Sequence, residues 1–94
     1  MALIRAVDAQ TILSLNLQRL RVARGLSQER LAFEAKIDRS YVGRIERGTE
    51  NVTIATIEAM AMALGVGIDA LFKPVDPVDA KPSSLRAGRK PKVT

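Results

Sequence analysis

Only two residues, Lys36 and Ile37, separate one helical pattern from the cap of the next, and no other feature of the chain constrains its fold as tightly. On the N-terminal side Ser27 is a good N-cap for a helix Gln28 to Ala35, in which Leu31 and Ala32 turn inward. Glu29 sits in its first turn, where the helix dipole favours an acid. On the C-terminal side Asp38 is placed to cap a helix from Arg39 to about Arg47, ended by Gly48. The turn between them is the weak place. A helix that ends in the left-handed conformation usually does so at glycine, and Lys36 in that role costs about 1 kcal/mol.

The same period continues on both sides. Leu13, Leu17 and Leu20 fall at i, i+4, i+7, with Asn16, Arg19 and Arg24 away from them and Gly25 as the stop. Thr53 is set to cap Ile54 to Leu64, where Ile54, Ile57, Ala61 and Leu64 have core spacing and Gly65 follows. Asp69 caps one further turn, Ala70 to Phe72. Nothing alternates like a strand, and no internal repeat is present. The expected fold is all-α: a compact five-helix domain over residues 11–72, of low contact order. Residues 1–10 form an arm that could extend the first helix or pack across a dimer. Residues 73–94 carry all four prolines and a charge of +4, and read as a basic, extended tail.

Ninety-four residues bury only a modest fraction of their surface, so folding alone is marginal and oligomerisation would help. The absence of cysteine and histidine removes disulfides, thiolate chemistry, Ser-His-Asp triads and the commonest zinc ligands together. No carboxylate pair, nucleophile with a base, or glycine-rich phosphate loop takes their place, so no catalytic residue, metal or cofactor is expected. No apolar run approaches the roughly 20 residues of a membrane span. Met1 to Leu15 carries Arg5 and Asp8 without a signal-peptide pattern, and a reducing cytoplasm is the expected compartment.

Charge is divided unevenly. Residues 1–47 sum to +4, whereas residues 48–72 hold no cation and sum to −3. With residues placed 100° apart, Val42 and Ile45 define the inner side of the third helix. Ser40, Gly43, Arg44 and Arg47 then project to the far side at i, i+3, i+4, i+7, flanked by Arg39. A capped helix with a small, cationic outer face, a few residues after another helix, is the layout of a helix-turn-helix, whose later helix enters the major groove. Such charges could also be no more than a solvated face. Gly43 in mid-helix costs up to roughly 1 kcal/mol relative to alanine, and a spot free of side chain permits close approach to a partner.

The run QERLAFEAKIDRSYVGRIERG closely resembles the lambda-repressor-like (Xre-type) helix-turn-helix family. The likeness extends through LNLQRLRVARGLS upstream and TIATIEAMAMALGVGIDALF downstream, covering about Leu15 to Phe72. It implies double-stranded DNA as partner and specific roles. Gln28 would cap the second helix near a phosphate and brace Arg39. Arg39 and Ser40, with Gly43 and Arg44 behind them, match positions that meet base edges or the adjoining backbone, and an arginine there reads guanine O6 and N7 as a bidentate pair. Arg47, Thr49 and Asn51 match phosphate-contacting positions, which set register. Arg21 and Glu46 match a pair that bridges the first helix to the third, read here as a structural clamp outside the site. Family members commonly carry glycine where Lys36 stands, a base where Glu50 stands and proline where Val52 stands. Glu50 would face a phosphate unfavourably. Tyr41 either contacts the backbone through its hydroxyl or packs and tethers the third helix.

The fourth helix is almost uncharged, with Glu58 alone among Ala55, Ala59, Met62 and Ala63 outside its core positions. That surface, with the region to Phe72, is expected to form a homodimer, which would present two recognition helices to half-sites roughly 34 Å apart. Otherwise the N-terminal arm covers it. In the tail, Gly88-Arg89-Lys90-Pro91-Lys92 loosely resembles a minor-groove arm, against plain phosphate attraction. The functions that follow are a sequence-specific transcriptional regulator, as a dimeric repressor or restriction-modification controller, or an antitoxin of the same fold that also binds a toxin protein.

Overall fold

The computed structural model describes residues 8–75; what the sequence suggests for residues 1–7 and for the tail beyond 75 lies outside them. Four α-helices follow in order: α1 (Ala9–Ala23), α2 (Gln28–Ala35), α3 (Arg39–Glu46) and α4 (Ile54–Leu64). A 3₁₀ helix, Ile68–Phe72, closes the domain. The fifth element is thus a 3₁₀ helix that begins two residues earlier than expected, after Gly67 rather than behind an Asp69 cap. α1 also starts earlier. Asp8 is its N-cap, accepting from the Thr11 amide at 2.9 Å, so Ala9 and Gln10 extend the first helix, one of the two readings open for residues 1–10.

All four α-helices end with the same device. The amide two residues past the last helical residue or its cap reaches back five residues: Leu26 to the Arg21 carbonyl, Ile37 to Ala32, Thr49 to Arg44 and Val66 to Ala61, at 2.9–3.2 Å. The residue before each of these amides is left-handed. Three are glycines; the fourth is Lys36, at φ 60°, which is the only non-glycine residue with positive φ among the described residues. Leu26, Ile37 and Val66 each pack against the core, which anchors their turns. For Lys36 this anchorage holds a conformation that its own side chain disfavours.

One core joins every element, with Leu17, Leu31, Val42, Ile45, Met60, Leu64 and Leu71 fully buried. Two expectations about it need correction. Ile54 is 77% exposed, and Met60 is buried in its stead. α4 is so uniformly apolar that its spacing does not choose a face; packing selects Ile57, Met60, Ala61 and Leu64. Asn16, expected on the outer side of α1, is only 2% exposed because the 3₁₀ helix folds back over it. Its Nδ2 donates to the Leu71 and Lys73 carbonyls at 3.1 and 2.9 Å, which satisfies the buried amide and ties the chain end to α1.

Candidate nucleic-acid interface

The inner side of α3 is the pair Val42 and Ile45, both within the core. Its outer side carries Arg39, Ser40, Arg44 and Arg47, all exposed, as the spacing predicts. Thr49 and Asn51 extend this surface into the α3–α4 loop, both exposed. Gln28 lies half-buried at the start of α2.

Gly43 departs from the outer row: it is buried. A Cβ built there would lie 3.6 Å from Arg47 Nη1 and 3.8 Å from Gln28 Oε1, so these two side chains cover it. Those are ordinary contact distances, and the site has room for a methyl group. The 100° spacing puts residue 43 on the outer side of the helix, but the Gln28 side chain from the start of α2 reaches over it, a neighbour that spacing alone cannot see.

The end of α3 is clamped. Glu46, 3% exposed at its side chain, receives Arg21 Nε at 2.6 Å and Arg21 Nη2 at 3.0 Å. Arg21 also donates from Nη1 to the Leu26 carbonyl at 2.8 Å, and Gln28 Nε2 donates to Glu46 Oε1 at 2.9 Å. One carboxylate therefore holds α1, the start of α2 and α3 together. The expectation that Gln28 braces Arg39 is not met, because its amide turns to Glu46 at the opposite end of α3.

Asp38 has the backbone conformation of an N-cap, but its side chain caps no amide. Its Oδ2 instead accepts the Ser40 hydroxyl at 2.6 Å. Ser40 is thereby oriented at the first turn of α3, with its oxygen still able to accept. Arg39 and Arg47 enter no ion pair among the described residues, which leaves their guanidinium groups available to an anion or a base edge.

Sequence reasoning missed the organisation of the α3–α4 loop. Gln10 Nε2 donates to the Glu50 carbonyl and to Asn51 Oδ1, both at 3.1 Å. Asn51 Oδ1 is thus engaged, and its Nδ2 makes no hydrogen bond among the described residues. The Thr49 hydroxyl donates to the Arg44 carbonyl at 3.2 Å. Glu50 Oε1 accepts from Arg44 Nε at 2.8 Å, and the Arg44 guanidinium carbon stands 5.5 Å from the centre of the Tyr41 ring. Tyr41 is half-buried and packs against the core, the second of its two readings. These partners lie up to 41 residues apart in sequence, where helical spacing carries no signal.

The arrangement is thus a short helix, clamped at its end, that with its C-cap presents four exposed polar side chains, three of them cationic, beside a loop in which the Asn51 amide keeps a donor unused. Among the described residues no group of acids, histidines or cysteines could hold a metal ion, and no helix is long and apolar enough to cross a membrane.

The helix-turn-helix family model HTH_3 matches residues 17–71. A hypothetical transcription factor of Neisseria meningitidis is 42% identical over 67 residues, 71% of this chain and 63% of that protein, so the chain spans less than two thirds of this relative. The crystal structure of the restriction-modification controller protein C.AhdI from Aeromonas hydrophila superimposes with TM-score 0.66 at 46% identity, covering 67% of this chain and 96% of that one. The controller protein C.Esp1396I, solved as a tetramer in complex with its natural 35-base-pair operator, matches with TM-score 0.65 at 30% identity, over 71% of this chain and 88% of that one.

Proposed function

Because this chain belongs to the helix-turn-helix family, we propose that it is a sequence-specific DNA-binding transcriptional regulator of the cytoplasm that reads the major groove with α3. The observation that carries this reading is the clamped α3 with Arg39, Ser40, Arg44 and Arg47 exposed on one side. Arg39 and Ser40, at the N-terminal end, meet base edges, with Arg44 behind them. Arg47, Asn51 and the start of α2 at Gln28 take phosphates, where unpaired first-turn amides add to the attraction, whereas Thr49 gives both its amide and its hydroxyl to the Arg44 carbonyl and serves to shape the loop.

The protein acts as a homodimer. Ile54 and Met62 lie on the outer side of α4 at 77% and 79% exposure, and Ile68 and Phe72 are also exposed beyond it. Large apolar side chains left in water favour a subunit contact. A two-fold axis there places two α3 helices over half-sites about one helical turn apart. Likeness to C.AhdI and C.Esp1396I favours a restriction-modification controller over an antitoxin. Selection of bound duplexes from a random pool tests the proposal. Enrichment of a two-fold symmetric pair of half-sites is the expected result, and a pool that stays random after repeated rounds contradicts it.

A further inference from the structure

Glu50 is an acid in a loop where a base would serve phosphate attraction better, and its position is fixed from two sides. Gln10 on α1 holds its carbonyl, at 3.1 Å, and its carboxylate receives Arg44 Nε, at 2.8 Å. Arg44 is further restrained by the Tyr41 ring, 5.5 Å from the guanidinium carbon, and Tyr41 is itself packed on the core. The pair is 45% and 27% exposed, and an ion pair so open to water contributes little to folding. Stability therefore does not explain an acid at this place.

Its consequence for Arg44 is more specific. A guanidinium offers five donors in a planar fork, and here the Nε edge is engaged while Nη1 and Nη2 make no hydrogen bond among the described residues. An arginine held by a charge-assisted bond is hindered from swinging to the nearest phosphate. Its charge is also largely balanced, which weakens its pull on DNA of any sequence. It keeps a two-pronged end whose geometry suits guanine O6 and N7.

We propose that Glu50 is a positioning residue that makes Arg44 a base reader in place of a phosphate anchor, with Gln10 holding Glu50 in register. The proposal rests on the DNA-binding reading above. It predicts an unusual sign: removing the acid strengthens binding overall and weakens discrimination.

The test uses the full chain and the variants Glu50→Gln, Gln10→Ala, Arg44→Ala and Glu50→Gln/Arg44→Ala. Each is titrated over a salt series with the duplex selected from the random pool and with a random duplex. Glu50→Gln should bind random duplex more tightly, with a salt slope steeper by about one unit. Its preference for the selected site should fall about tenfold, the lower end of what one bidentate base contact supplies. Gln10→Ala should shift both quantities in the same direction by less. In the Arg44→Ala background Glu50→Gln should leave the preference unchanged. Unchanged melting temperature for Glu50→Gln separates these effects from a loss of folding. The inference is overturned if Glu50→Gln raises both affinities by the same factor, if it alters neither, or if it lowers preference equally without Arg44. Failure of the underlying reading looks different: the unmodified chain itself would then prefer no duplex.

Discussion

α3 and α4 each bury an aliphatic seam, Val42 with Ile45 in one and Ile57, Met60, Ala61 and Leu64 in the other, yet they turn opposite chemistries outward. α3 and its C-cap expose three arginines and a serine; α4 exposes Ile54, Ala55, Glu58 and Met62. The arginine face attracts a polyanion through charge and counterion release, and its binding weakens with salt. The apolar face gains from removal of surface from water and is indifferent to moderate salt. The two faces thus differ in physics as well as in position, and on the proposed function each should be open to disruption without the other.

The largest expected effect is on the clamp that aims α3. Glu46→Ala leaves Arg21, 13% exposed at its side chain, without its carboxylate partner, and should cost about 3 kcal/mol of stability, read by chemical denaturation. A change below about 1 kcal/mol would mean that α3 is held by its aliphatic seam alone. Next comes the α4 face. Met62→Glu removes an apolar group worth about 2 kcal/mol when fully buried and places a charge in the contact. The variant should remain folded, because Met62 is exposed in the single chain, and should sediment as a monomer. An unaltered oligomeric state would move the dimer contact away from α4.

The smallest effect concerns the turn that aims α3 and touches neither face. Lys36→Gly relieves a left-handed backbone and should stabilise by up to about 1 kcal/mol, raising the melting temperature by about 4 °C while site preference stays constant. A lower melting temperature would show that the lysine side chain contributes more than the strain it causes.

How much of this was legible in sequence depended on distance along the chain. Ser27, Thr53, Gly25 and Gly65 act within a turn of where they stand, so α2 and α4 have the expected bounds. The exposed row of Arg39, Ser40, Arg44 and Arg47 follows from helix period once Val42 and Ile45 are turned inward. Asn16 could not be read the same way, because what buries it is the carbonyl pair of Leu71 and Lys73, 55 and 57 residues on. Gly43 is covered by Gln28 and Arg47, and the fate of the Gln28 amide was decided by Glu46, 18 residues later. Ile54 was misplaced for a different reason: an apolar run without polar punctuation has no preferred face until the rest of the core chooses one.

The central claim is that the arginine face divides into readers and anchors. Affinities of Arg39→Ala and Arg47→Ala for the selected duplex and for random DNA test it directly. Arg39→Ala should cost about 1–3 kcal/mol on the selected site and relax preference at one base pair, with little loss on random DNA. Arg47→Ala should weaken both duplexes alike and lower the salt slope by about one unit. Equal losses on selected and random DNA for both variants would contradict the division.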